Sequence, residues 1–305
     1  MNPYIIKTIA ATALALCVSI NASGDDNCIR QRFYIRPNAS ISLGNTLSMD
    51  YITPSIKAES SGNDYGVDFG YCFLRHGQFS MGANIGIGIS TYSITMSMSD
   101  VTYSYQAGAE ADMDGDSYIR HYDIAGLHQK LTDTYLSVPL YVDLRYSFSR
   151  RIAAYAIVGV TTGIHISGDT KSFEGQFESW GVYPSYGNLA IAEPWLNEFG
   201  SAHIGKDRLN EPECNHVIAG ILAGAGIDIW LTGPLSVNAG VVYRSGINNI
   251  FKENANPINT GHATASTAPV TYTVASGQTA RTLTDGLTKS KPSHLALNLG
   301  LTFRF

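Results

Sequence analysis

The chain has 305 residues, a net charge of −5 and only 15% charged residues, with 30 Gly and 18 Tyr. A mildly acidic balance argues against nucleic acid as a partner, since that role calls for a basic face. So few charges beside so much Gly and Tyr fit a wall whose outward face meets lipid better than a water-exposed surface.

In chain order, a single early cation, Lys7, precedes the apolar run 9–20, then the small residues Ala22, Ser23 and Gly24 before Asp25 and Asp26. This reads as a secretory signal peptide over 1–24, cleaved after Ala22 or Gly24. The run is too short for a membrane helix, which needs roughly 20 residues, and Leu16 before Cys17 is not the small residue that a lipoprotein site expects. The remainder, 25–305, is expected to be one barrel domain. It keeps Cys28, Cys72 and Cys214, an odd number for an oxidising compartment. Cys28 and Cys72 are placed to form a bridge, the alternative being unpaired small hydrophobes.

Eight stretches then alternate apolar with small or polar residues, the period of a strand with two unlike faces. They cover 33–44, 64–74, 79–89, 136–148, 152–164, 217–229, 235–243 and 293–305. Pro37 predicts a bulge or local break in the first, because it removes a ladder donor. Beyond Ser90 the apolar parity moves to Tyr92, Ile94, Met96 and Met98, which predicts a bulge where the third stretch leaves the membrane. Short turns at His76-Gly77, 149–151 and 232–234 alternate with long connections after the first, third, fifth and seventh stretches. Short periplasmic turns and long external loops characterise outer-membrane barrels, and an even count puts both ends in the periplasm. Phe33, Phe73, Phe79, Phe148, Phe303 and Phe305 all map to that end, as an interfacial girdle should. The fold class is therefore all-β, an eight-stranded antiparallel up-and-down transmembrane barrel with long extracellular loops, or ten-stranded if a loop hairpin enters the wall.

The final stretch, SHLALNLGLTFRF, places its Leu and Phe residues on one parity and closes on Phe305. A last strand of this kind resembles the assembly signal of Gram-negative outer-membrane barrels, with Phe303 and Phe305 as its residues. The run YLSVPLYV at 135–142, followed by a turn and a Gly-containing strand, resembles the outer-membrane β-barrel domain family of the OmpA and OmpX type. The resemblance implies the cell outer membrane, with the bilayer and the barrel-assembly machinery as partners and a monomeric state. It implies no activity, because the fold hosts many roles. No cofactor or bound metal is implied.

Candidate sites follow from parity. The inward-facing charges Arg36, Asp68, Asp143, Arg145, Asp228 and Arg304 are expected to form an interlocking ion-pair network that fills a narrow lumen, because a buried charge left alone costs several kcal/mol. His165 and Ser167, two apart at the top of the fifth stretch, resemble the pair of a lipid A deacylase, but both fall on the inward parity and no acidic partner is evident. The acidic run with Glu110, Asp112, Asp114 and Gly115 resembles the start of a calcium loop, yet its twelfth position is His121 where a bidentate Glu would close the site, and it reads as a solvated loop. The third long loop holds Phe173, Phe177, Trp180, Tyr183, Tyr186, Trp195 and Phe199, which either pack a loop subdomain or bind a glycan or protein. In the last long loop, 270–274 alternates as a hairpin would. These features favour a non-enzymatic barrel with a structural or adhesion-like surface role, with a small-solute pore second and a lipid A-modifying enzyme third.

Overall fold

The computed structural model describes residues 32–51, 56–98, 101–107, 114–192, 200–205, 213–252 and 287–305. The signal segment, Cys28, Glu110, Asp112, Trp195, Phe199 and the 270–274 stretch lie outside the described residues.

The described strands are β1 (Phe33–Ser42), β2 (Leu47–Tyr51), β3 (Ile56–His76), β4 (Phe79–Met98), β5 (Val101–Ala107), β6 (Tyr118–Ser147), β7 (Ile152–Tyr183), β8 (Leu189–Ile191), β9 (Gly200–Gly205), β10 (Val217–Thr232), β11 (Leu235–Gly246) and β12 (Leu287–Arg304). Eight of them close a ring in the order β1-β3-β4-β6-β7-β10-β11-β12, each antiparallel to its neighbours. The four others stay outside it: β2 pairs β12, β5 pairs β6, and β8 and β9 pair β7. The wall is therefore eight-stranded. Its seam is closed to the last residue, with Phe305 N–H donating to Phe33 O at 2.9 Å and Phe33 N–H to Phe305 O at 3.2 Å. The eight ring strands therefore have no open edge to pair with another chain.

The outward parity is apolar and uncovered: Ile41, Phe69, Ile85, Leu140, Val158, Ile221, Val241 and Leu297 are all exposed, Val158 by 63%. A band of this kind around a closed ring is stable only against hydrocarbon. At the lower rim Phe33, Phe73, Phe79, Phe148 and Phe305 are exposed as a girdle, with Phe33 stacked on Phe305 at 6.3 Å. The turn joining β3 to β4 is two residues long because Gly77 takes φ +57°, a conformation that glycine reaches without steric cost.

Pro37 leaves no bulge. The β1–β12 register is constant from Tyr34 to Ser42, but Arg36 and Pro37 have no partners in β12, a local break. The parity change after Ser90 is no bulge either. β4 runs to Met98 with Ser90, Tyr92, Ile94 and Met96 all buried on the inward face. Outside the band it is water that surrounds the wall, so the apolar residues belong within it and the pattern inverts along a straight strand.

The connections expected after the third and fifth stretches are largely sheet. β6 has 30 residues and β7 has 32, roughly 100 Å at about 3.3 Å per residue, several times the ~25 Å height of an apolar band. Their upper halves pair with each other and carry β5, β8 and β9 as a sheet standing above the membrane. Three register shifts interrupt the β6–β7 pairing, at Ala125/His128, Lys130/Leu131 and Thr134/Tyr135.

Candidate functional site

The inward face builds a polar network across the lumen. On β1, Tyr34 donates its hydroxyl proton to Asp143 Oδ1 at 2.5 Å, and Arg36 Nη2 donates to the Tyr141 hydroxyl oxygen at 2.8 Å and to Asn84 Oδ1 at 3.3 Å. Asp68 Oδ2 accepts from Tyr141 at 2.6 Å and from Asn38 Nδ2 at 2.8 Å, with Arg36 Nε 3.5 Å away. Asn84 Nδ2 donates to Asp143 Oδ1 at 2.6 Å. Arg145 joins two carboxylates, donating from Nε to Asp143 and from Nη1 to Asp228. Arg304 Nη2 approaches Asp228 Oδ2 at 3.7 Å, its Nη1 donates to Ser236 Oγ at 3.1 Å, and its guanidinium lies 4.5 Å above the Trp230 ring.

Of the six charges picked out by parity, the structure thus joins Arg36 to Asp68, and Asp143, Arg145, Asp228 and Arg304 to one another. All six are buried. Three cations face three carboxylates, so the group is neutral as a whole, the condition under which charges tolerate a dry interior. Tyr34, Asn84 and Tyr141 add hydrogen bonds to Asp143, Arg36 and Asp68, while Arg36 Nε, Arg145 Nη2, Asp228 Oδ1 and Arg304 Nη2 are buried without a hydrogen-bond partner among the described residues.

Above this layer lies an apolar one, Tyr141, Leu222 and Val242 with Ile157, then a further ion pair, Arg244 Nη1 to Asp64 Oδ1 at 2.7 Å. Arg244 lies one residue beyond the seventh alternating stretch, which closes at Tyr243. The parity that carried Leu235 to Tyr243 already pointed Arg244 inward.

The upper mouth is covered by the chain that follows β11. Ile250 and Phe251 are buried at 0% and 3% exposure. Ile250 N–H donates to Ser290 O at 2.8 Å, and Asn215 N–H to Ile250 O at 2.7 Å, so the cap is held to β12 on one side and to the approach of β10 on the other. Asn248 secures its base, accepting from Ala219 N–H and donating to Val217 O, each at 2.7 Å. Tyr92, Tyr135, Ser137, Ile218 and Arg244 line a partly open pocket of about 20 Å³, room for one water. Below the charged layer a vestibule of about 680 Å³, lined by Arg75, Arg145, Arg150, Trp230 and Arg304, opens at the periplasmic end.

The remaining candidates separate. His165 is half-buried inside, whereas Ser167 is exposed. The register shift at Thr134/Tyr135 inserts Ile166 between them and turns the later residue outward, which corrects the expectation that both face in. Trp180 and Tyr183 stand on β7 rather than in a loop. Trp180 stacks on His121 at 5.2 Å and Tyr183 on Tyr118 at 5.2 Å, and Tyr183 is buried. Tyr186 is 61% exposed and donates to Asp116 Oδ2 at 2.8 Å. Of the acidic run, Asp114 and Gly115 are described, the latter at φ +78°. Among the described residues Cys72 forms no disulfide, its thiol lying 3.5 Å from Leu74 O, and Cys28, the partner expected for it, lies outside them.

One group had no signature in the sequence. Asp133 on β6, His165 on β7 and Cys214 before β10 bring their ligand atoms within 4.8 Å of one another, although up to 81 residues separate them in the chain.

A closed antiparallel ring with a lipid-facing apolar band, short turns at one end and a polar interior defines an integral outer-membrane β-barrel. The chain belongs to the outer membrane protein beta-barrel domain family, whose model matches residues 21–252, and its place is the outer membrane. A search of curated proteins found no match. Among solved structures, the chain is similar to the outer membrane protein OprG from Pseudomonas aeruginosa, at 13% identity and a TM-score of 0.44, covering 90% of this chain and 96% of that one. It is also similar to Ail, the attachment invasion locus protein of Yersinia pestis, at 9% identity and a TM-score of 0.27, covering 90% and 97%.

Proposed function

We propose that the chain is a closed, monomeric, non-enzymatic barrel, inserted by the barrel-assembly machinery, that works through what it presents outside the cell, in a structural or adhesion-like role toward an extracellular protein or glycan. The observation that carries this reading is the lumen. A neutral network ties β1, β3, β4, β6, β10 and β12 across the interior, and Ile250 and Phe251 cover the mouth above it. The sheet formed by β5, β8, β9 and the upper halves of β6 and β7 supplies the surface for contact. A hydrolytic role toward lipid A gains no support, because the one candidate base and hydroxyl lie on different faces of β7.

Refolded protein in a planar bilayer is expected to show no steady single-channel openings. Reproducible openings would transfer the assignment to a small-solute pore. Removing the cap by replacing Ile250 and Phe251 with Gly is expected to leave the bilayer silent, because the charged layer below still obstructs the path. A chain that conducts after this change alone would show that the cap, and not the network, seals the barrel.

A further inference from the structure

Asp133, His165 and Cys214 meet where the mouth covering joins the wall. Cys214 Sγ lies 3.2 Å from Asp133 Oδ1, and His165 Nε2 lies 3.7 Å from the same oxygen. Asp133 is 1% exposed and Cys214 7%. Among the described residues, Asp133 Oδ2 and His165 Nε2 are buried without a hydrogen-bond partner. Such orphaned atoms in a dry place are costly unless something else satisfies them. No cation lies close enough to Asp133 to do so apart from His165 itself, the ion-pair partner found for it among the described residues. Gly168 flanks the group, and a Cβ there would come within 2.5 Å of Asp133 Oδ1 and 3.4 Å of His165 Nε2, so the glycine leaves open the space beside both donors.

We propose that these three side chains form a zinc site. A thiolate, an imidazole and a carboxylate are a borderline-soft donor set that suits this ion. Tetrahedral bonds of about 2.0–2.3 Å put neighbouring donor atoms roughly 3.3–3.6 Å apart, close to the 3.2 and 3.7 Å that separate Asp133 Oδ1 from Cys214 Sγ and His165 Nε2, with all three ligand atoms within 4.8 Å of one another. The fourth position falls to water, reached past the half-buried His165. The ion displaces the Cys214 thiol proton to solvent, takes the donor electron pairs of the sulfur, of His165 Nε2 and of one Asp133 oxygen, and changes no oxidation state. Cys214 also forms an isolated β-bridge with Phe251, so zinc would staple the mouth covering to β6 and β7. It is independent of whether the lumen conducts.

The test uses refolded full-length protein, reduced and stripped of metal, titrated with Zn²⁺ alone and separately with Co²⁺. One equivalent of Zn²⁺ per chain is expected, with a thiolate-to-cobalt charge-transfer absorption in the Co²⁺ form. The absorption should vanish in Cys214→Ser and persist in Cys72→Ser. Asp133→Asn and His165→Gln should each weaken Zn²⁺ by more than the roughly 10–100-fold that loss of an outer partner costs. Should Cys214→Ser fail to fold, alkylation of wild-type Cys214 serves instead, and Zn²⁺ should slow it at least about tenfold. An alkylation rate indifferent to Zn²⁺, or a cobalt spectrum unchanged in Cys214→Ser, overturns the site. Binding that survives Asp133→Asn and His165→Gln together overturns it as well.

Discussion

Asp228→Ala is expected to lower the unfolding free energy by about 3–5 kcal/mol, the cost of leaving buried charge unpaired. Asp228 is fully buried and serves two guanidinium groups at once, those of Arg145 and Arg304. Without it, Arg145 keeps Asp143, but among the described residues Arg304 keeps only the Ser236 hydroxyl and the Trp230 ring. The three-against-three balance then becomes three against two in a region of low dielectric. Urea unfolding in lipid vesicles, followed by tryptophan fluorescence, measures the loss. Asp228→Ala combined with Arg304→Met should recover much of it, since replacing a whole buried pair by apolar groups is often close to neutral. If Asp228→Ala alone costs under about 1 kcal/mol, water must reach the site and the network is not a dry one. In planar bilayers, Asp143→Ala with Asp228→Ala is expected to raise conductance over the silent wild type once the cap is also removed by Ile250→Gly and Phe251→Gly. Unchanged conductance would locate the seal elsewhere.

Gly240→Val is expected to destabilise the barrel by about 1–3 kcal/mol or more, the range of core overpacking. Gly226 and Gly240 face each other across the β10–β11 ladder, and the Tyr155 hydroxyl lies over both. A Cβ on either would fall 2.5 Å from that oxygen, and at Gly240 also 2.5 Å from the Ala225 carbonyl oxygen. The backbone contact cannot rotate away, so a branched side chain must push β11 off β10 or drive Tyr155 into the charged layer. The neighbouring Ala239→Val, exposed on the lipid side, should be almost silent in the same unfolding assay. Adding Tyr155→Phe to Gly240→Val removes the hydroxyl contact but leaves the carbonyl one, and only partial recovery is expected. A fully stable Gly240→Val would mean that neither the Tyr155 hydroxyl nor the Ala225 carbonyl crowds this position.

The lipid-crossing halves of the eight ring strands were legible because two solvents impose one rule there. Lipid demands apolar residues outside and a narrow lumen demands small or polar ones within, so Leu297, Leu299 and Leu301 alternate with Asn298 and Gly300 as a strand must. The lumen charges were legible for the same reason, since parity assigns a direction to Arg36 or Asp228 without any knowledge of its partner. Above the membrane the rule lapses. Tyr92, Ile94, Met96 and Leu131 turn inward as an ordinary core while polar residues face water, which in sequence resembles a loop and hid the upper halves of β6 and β7.

The sequence by itself determined the closed antiparallel barrel, its orientation and the residues that line it, because each follows from a local period of two set by the surrounding medium. Only the tertiary structure decided which lining charges meet, that 250–251 cover the mouth, that a register shift parts His165 from Ser167, and that Asp133, His165 and Cys214 converge. Those outcomes depend on register between strands far apart in the chain, and no local pattern of residues encodes it.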